Sequence, residues 1–112
     1  MLREDENIGP LTGVRVLDLT INVLGPVATQ ILGDLGAEVI KVETPSGDPM
    51  RLIGSSKTGM LGPFFQTTNR NKKSVVLDLK KIEEKNALLK IAGGCDVFVH
   101  NMRPVSYTHL RA

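Results

Sequence analysis

Three cations and two amides crowd into residues 69–73 (NRNKK): Asn69, Arg70, Asn71, Lys72 and Lys73. Lysine and arginine neutralise phosphate, and a fixed guanidinium does so with paired hydrogen bonds. A second turn, residues 101–104 (NMRP), adds Asn101 and Arg103 at the end of an apolar run. The chemistry these groups suit is anion binding rather than bond breaking. His100 has the side chain of a general base, or of a histidine that closes a strand. Asp18, Asp78 and Asp96 have neither a partner histidine nor a second carboxylate at motif spacing, so none is assigned as a catalyst. His, Cys and acidic residues form no metal-ligand pattern. Cys95 stands alone, which excludes an internal disulfide and a thiolate cluster and leaves a packed, inert thiol.

The elements around these residues follow from hydropathy. Residues 14–19 (VRVLDL) and 38–43 (EVIKVE) are short, β-branched and apolar, as strands of a buried parallel sheet are. Between them Gly25-Pro26 opens a helix, and Val27, Ala28, Ile31, Leu32 and Leu35 recur on one of its faces. Gly36 follows as the residue able to take positive φ at the helix end. Strand, short helix and strand make a right-handed βαβ unit. Residues 44–71 are rich in Gly and Pro, show no sustained period and read as one long loop, a length that usually carries function. A third strand is predicted over 74–79 (SVVLDL). A helix over 81–92 follows, with Ile82, Leu88, Leu89 and Ala92 available for burial, and then a fourth strand over 96–100 (DVFVH). The order β-α-β-loop-β-α-β belongs to the α/β class, as a Rossmann-like parallel sheet.

In such sheets ligands bind beyond the carboxyl ends of the strands. Glu43 ends the second strand where a ribose-binding acid would sit. The first turn, residues 20–26 (TINVLGP), has one glycine where a dinucleotide fingerprint needs three, and no phosphate-cradling P-loop is present. Nucleic acid is disfavoured by an aromatic content of 4%, with Phe64 and Phe65 the nearest rings to the basic segment. The 112 residues carry a net charge of +2, which hides an asymmetry: residues 1–68 hold 5 basic and 8 acidic side chains, residues 69–112 hold 9 and 4. Lys80, Lys81, Lys85 and Lys90 suit a solvated helix face. No apolar run approaches the roughly 20 residues of a membrane span, and the acidic N-terminus is unlike a secretory signal. A cytoplasmic location is expected. With no Trp and 41% hydrophobic residues, the chain amounts to one domain or an incomplete one.

Residues 13–20 (GVRVLDLT), Gly25-Pro26, Thr29-Gln30, 35–43 (LGAEVIKVE), Gly47-Asp48, 71–74 (NKKS), 77–80 (LDLK) and 101–104 (NMRP) occur in the order and spacing of a known family. Together they resemble the N-terminal segment of the class III coenzyme A transferases, the CaiB/BaiF-like group that also holds the α-methylacyl-CoA racemases. The resemblance runs from about Leu11 to Pro104. It implies an N-terminal extension over 1–10 and the first part of a CoA-binding Rossmann-like domain over 11–104.

The resemblance further implies that Ile21, Asn22, Val23 and Leu24 wall the pantetheine, and that Asn71, Lys72, Lys73, Asn101, Met102 and Arg103 contact CoA. Ile21-Asn-Val-Leu24 replaces the more polar stretch of the formyl-type enzymes. CoA is then a substrate, with no permanently bound cofactor. Acyl-CoA and a carboxylic acid are the partners, without nucleic acid or membrane, and the full-length proteins are interlocked homodimers. The family's catalytic aspartate lies beyond the matched region, so an isolated fragment is expected to be inactive, marginally stable and prone to aggregate through open sheet edges. Residues 105–112 (VSYTHLRA) depart from the family's pattern and read as a foreign tail on a truncated frame. A racemase fragment and a small non-catalytic nucleotide-binding module are the alternatives.

Overall fold

The computed structural model describes residues 8–54, 59 and 61–103. The predicted tail, 105–112, and residues 1–7 of the predicted extension lie outside them. Four parallel strands form one sheet in the order β3-β2-β1-β4: β1 (Arg15–Asp18), β2 (Glu38–Glu43), β3 (Lys72–Val76) and β4 (Val97–Val99). Helix α1 (Leu24–Asp34) links β1 to β2 and α3 (Ile82–Gly93) links β3 to β4. The predicted α/β class and parallel sheet are therefore what the chain adopts. Residues 44–71 are not one structureless loop. They contain a 3₁₀ turn, Pro49–Leu52, and a short helix, α2 (Pro63–Thr68), each begun by a proline in its first turn.

Strand alternation divides the core in two. Leu17, Leu19 and Val42 point to the α3 face and pack with Leu77 and Leu88, while Val16, Ala37 and Val39 point to the α1 face. Gly36 ends α1 at φ +107, and a Cβ there would lie 2.8 Å from the backbone nitrogen of Gly9. Only glycine fits both the left-handed backbone and that close approach.

Two burial expectations hold only in part. On α1 the buried residues are Pro26, Thr29, Gln30 and Gly33, whereas Leu24, Ala28, Ile31 and Leu35 are exposed. The predicted stripe is thus split: Leu32 packs on the Val16, Ala37 and Val39 cluster and Val27 is half-buried, while Ala28 and Ile31 face away, because the sheet surface under the first half of α1 is charged and takes Thr29. On α3, Leu88 is buried and Ala92 packs against the core, but Ile82 and Leu89 are 69% and 54% exposed. The third strand begins two residues earlier than predicted and stops at Val76. Its pairing, Val39↔Lys72 through Glu43↔Val76, uses up β2, and Asp78 then turns the chain by accepting the amide of Lys80.

Candidate functional site

The α1 face of the sheet changes character along the strands. Val16 and Val39 fill its amino half, and Asp18, Lys41 and Glu43 follow on the same face by the two-residue period. Asp18 and Lys41 are register partners on adjacent strands, yet each takes another ion as its closest partner. Asp18 Oδ2 lies 3.0 Å from Lys72 Nζ, with side chains 0% and 2% exposed. Lys41 Nζ lies 3.0 Å from Asp48 Oδ2, with both equally buried. Glu43 receives Arg51 through a two-pronged pair at 2.8 Å on each oxygen, and the guanidinium lies 3.9 Å above the Phe65 ring. Three carboxylates and three cations therefore balance in one buried layer.

Hydrogen bonds complete this layer. The hydroxyl of Thr20 donates to Asp18 Oδ1, and the hydroxyl of Thr29, on α1, donates to Oδ2 at 2.7 Å. Burial pushes the Asp18 carboxyl up, but the Thr20 bonds, the Lys72 ammonium and Thr29 outweigh it and hold it below the ordinary carboxylate range. Burial lowers Lys72, and Asp18 offsets this only in part. The ammonium of Lys72 also donates to the Pro26 carbonyl at 3.0 Å and to Asn69 at 2.7 Å. Gly25 lets α1 approach: a Cβ on it would sit 2.6 Å from Cβ of Thr20.

Beyond the carboxyl ends of the strands lies an open cleft of about 1430 Å³. Ile21 and Asn22 after β1, residues 44–49 after β2, residues 77–80 after β3 and residues 101–103 after β4 all line it. The backbone of its β1 wall is tied down on two sides. Asn101 Oδ1 accepts from the Ile21 amide at 3.1 Å, and Asn101 Nδ2 donates to the Ile21 carbonyl at 2.9 Å. Lys41 Nζ donates to the Thr20 carbonyl at 2.8 Å, and Asp48 Oδ1 accepts from the Asn22 amide at 3.2 Å. Asn22 itself has φ +71, the left-handed region.

The structure thus brings Ile21, Asn22, Asn101, Met102 and Arg103 into one cleft. Val23 and Leu24 lie just past it, at the start of α1. Asn71, Lys72 and Lys73 are elsewhere. They lead into β3 at the amino end of the sheet, beside a separate hollow of about 740 Å³ bordered by Arg15, Glu38 and Asp96. The reason is register: Lys72 pairs with Val39, near the start of β2. Most of that segment is also engaged internally. Arg70 and Asn71 bind Asp34 on α1, Lys72 binds Asp18, and Lys73 is 72% exposed with Glu38 3.7 Å away.

The other candidates resolve simply. His100 Nδ1 accepts from the Met102 amide at 3.2 Å, so it shapes the turn at the end of β4. Cys95 packs against the α3-side core, where burial pushes its thiol up. Glu43 is engaged by Arg51 and by the Asp48 amide, and its side chain is only 2% exposed, so it is turned into the buried layer rather than offered to a ribose. Sequence reasoning missed Lys41, Asp48, Thr20 and Thr29. The usable signal was a pair of unlike charges, Asp18 and Lys41, inside two apolar strand runs. Among the described residues no group of metal-binding side chains occurs, and no helix is long and apolar enough to cross a membrane.

A parallel 3-2-1-4 sheet with a ligand-sized cleft at its carboxyl ends defines a Rossmann-like binding domain. Its sequence matches the profile of CoA-transferase family III over residues 11–111, and the chain belongs to that family. The match extends beyond Pro104 into the segment read as a tail. Human succinyl-CoA:glutarate CoA-transferase is 48% identical over 99 residues, which are 88% of this chain and 23% of that protein. The probable fatty acyl-CoA transferase Rv3272 of Mycobacterium tuberculosis is 50% identical over 97 residues, 85% of this chain and 25% of the relative. A crystal structure of Rv3272 superposes with a TM-score of 0.83 at 46% identity, covering 93% of this chain and 29% of that one. A CaiB/BaiF family protein from Brucella suis gives a TM-score of 0.85 at 32% identity, covering 92% and 28%. The chain spans about a quarter of the length of the relatives it matches.

Proposed function

We propose that this chain is the CoA-binding part of a class III CoA-transferase, which moves CoA between an acyl-CoA and a carboxylic acid. The observation that carries the proposal is the carboxyl-end cleft, into which strand-end turns bring amides and the cations Lys80 and Arg103, and the first turns of α3 bring Lys85. CoA needs such groups for its pyrophosphate and 3′-phosphate, and an apolar wall such as Ile21 and Met102 for its pantetheine arm. Burial of Glu43 against Arg51 argues against a dinucleotide, whose ribose would need that acid. In the reaction an aspartate outside this segment attacks the thioester carbonyl and releases CoA thiolate. The thiolate then displaces the donor carboxylate from the resulting anhydride, leaving an aspartyl-CoA thioester for the acceptor to resolve. Relatives named for succinyl-CoA, glutarate and mesaconate make a dicarboxylate the first acceptor to try. The soluble cytoplasmic setting and the homodimer belong to the same proposal.

Calorimetry with CoA, 3′-dephospho-CoA and NAD tests it on the whole polypeptide. CoA should bind most tightly, NAD should not compete, and Arg103→Ala should weaken CoA binding about tenfold, the effect of removing one charge-assisted hydrogen bond. Equal affinity for all three, abolished by moderate salt, would reduce the cleft to a generic basic surface.

A further inference from the structure

We propose that Asn101 is a positioning residue: its carboxamide clamps the backbone of Ile21 and so fixes the wall of the cleft, acting on the ligand through Ile21 rather than by touching it. The inference rests on the CoA proposal above for the identity of the ligand, but the clamp itself is a feature of the backbone. Three observations carry it. Both heteroatoms of the carboxamide are committed to Ile21, the oxygen to its amide at 3.1 Å and the nitrogen to its carbonyl at 2.9 Å. The neighbouring groups are held from the opposite side, the Thr20 carbonyl by Lys41 and the Asn22 amide by Asp48. The turn between them includes Asn22 at φ +71, in the left-handed region that asparagine tolerates better than other side chains and that suits a tight, side-chain-tied turn.

Four consecutive backbone polar groups, from the Thr20 carbonyl to the Asn22 amide, are thus fixed by side chains from β2, from the loop after β2 and from the end of β4. A pre-organised wall loses no ordering entropy when a ligand arrives. The clamp needs one donor and one acceptor in a single planar group of this length. Asparagine supplies both, a carboxylate supplies two acceptors and sets one against the Ile21 carbonyl, and a protonated carboxyl again supplies one of each.

That chemistry provides the test. Asn101→Asp and Asn101→Ala are made in the whole polypeptide, and CoA affinity is measured from pH 5 to 8 as a ratio to wild type at each pH. The ratio to wild type cancels the titration of CoA itself, and Asn101→Ala, which keeps Lys41, Asp48 and His100 around the turn but adds no carboxyl, is the control for the groups that face it. Hydrogen exchange of the segment 19–24 is followed without ligand, as protection relative to wild type. At pH 8 both variants should bind CoA about tenfold more weakly than wild type, the loss of both bonds to Ile21 being partly offset by water. As pH falls, Asn101→Asp should recover affinity and protection together, whereas Asn101→Ala should recover neither. Wild-type affinity and protection in both variants at pH 8 would overturn the clamp, and so would the absence of acid recovery in a folded Asn101→Asp. Weakened binding with unchanged protection would make Asn101 a direct ligand contact, against the proposal. If wild type itself fails to bind CoA while protection still follows pH as stated, the CoA assignment falls and the clamp stands.

Discussion

Replacing Lys72 by methionine removes a cation from the driest part of the charged layer and leaves its shape almost unchanged. Asp18, 0% exposed, would then keep the hydroxyls of Thr20 and Thr29 and the Thr20 amide but lose the ammonium at 3.0 Å. Breaking a buried ion pair by deleting one member costs about 3–5 kcal/mol. Three remaining hydrogen bonds place this case at the lower end, about 3 kcal/mol. At about 4 °C per kcal/mol for a unit of this size, the midpoint should fall by about 12 °C. With no Trp in the chain, far-UV circular dichroism during urea and thermal unfolding is the suitable assay.

The sign of the pH dependence is a second check on the same pair. Asp18 titrates below its unfolded value of about 3.9, so its stabilisation is present above that pH and is lost as the pH falls through the folded value. In Lys72→Met the carboxyl loses its cation, its folded pKa rises, and the deficit relative to wild type should shrink in acid. Asp18→Asn combined with Lys72→Met removes both charges and should recover most of the loss. A single-variant loss under about 1 kcal/mol, or a double variant less stable than Lys72→Met, would refute the account of the pair as mutually required.

Other perturbations give sharper local readings. Arg51→Lys keeps the charge but gives up the fork on Glu43 and the stacking on Phe65, and should cost about 1.5–3 kcal/mol in urea denaturation. Gly25→Ala drives a methyl to 2.6 Å from Thr20 Cβ and should cost about 1–3 kcal/mol by the same measurement, because Thr20 is pinned to Asp18 and cannot yield freely. At the exposed apolar positions of α1 the usual hydropathy rule should invert. Ile31→Lys, at a side chain 52% exposed, should change stability by no more than about 0.5 kcal/mol and reduce light scattering by the chain. Thr29→Val, at a fully buried hydroxyl, should cost about 1–3 kcal/mol by leaving an Asp18 oxygen short of a donor.

The α/β class and the first βαβ unit were legible because residues 14–19 and 38–43 are short β-branched runs separated by one helix, with Gly36 closing it. Asp18 and Lys41 look like blemishes in those runs, and nothing in a single sequence pairs each with a residue from a distant loop. That same hidden pairing explains why the α1 stripe is only partly covered: periodicity locates the stripe but not what the sheet offers it, and the charged surface around Asp18 takes Thr29 while Leu32 meets the apolar half. In the site, both turns that the resemblance marked, residues 21–24 and 101–103, fall at the cleft or beside it. The basic segment 69–73 looked equally exposed as a string of letters, yet parallel register carries it to the other end of the strands.

The bonds between Ile21 and Asn101 join residues 80 positions apart, whereas most contacts within the first βαβ unit are local. Closing so long a loop is entropically expensive, and such contacts tend to form late. β4 must dock on β1 before Asn101 can reach the turn, so the held wall of the cleft depends on the fourth strand. β1 and α1 alone therefore carry the residues of that wall without the bonds that fix its backbone.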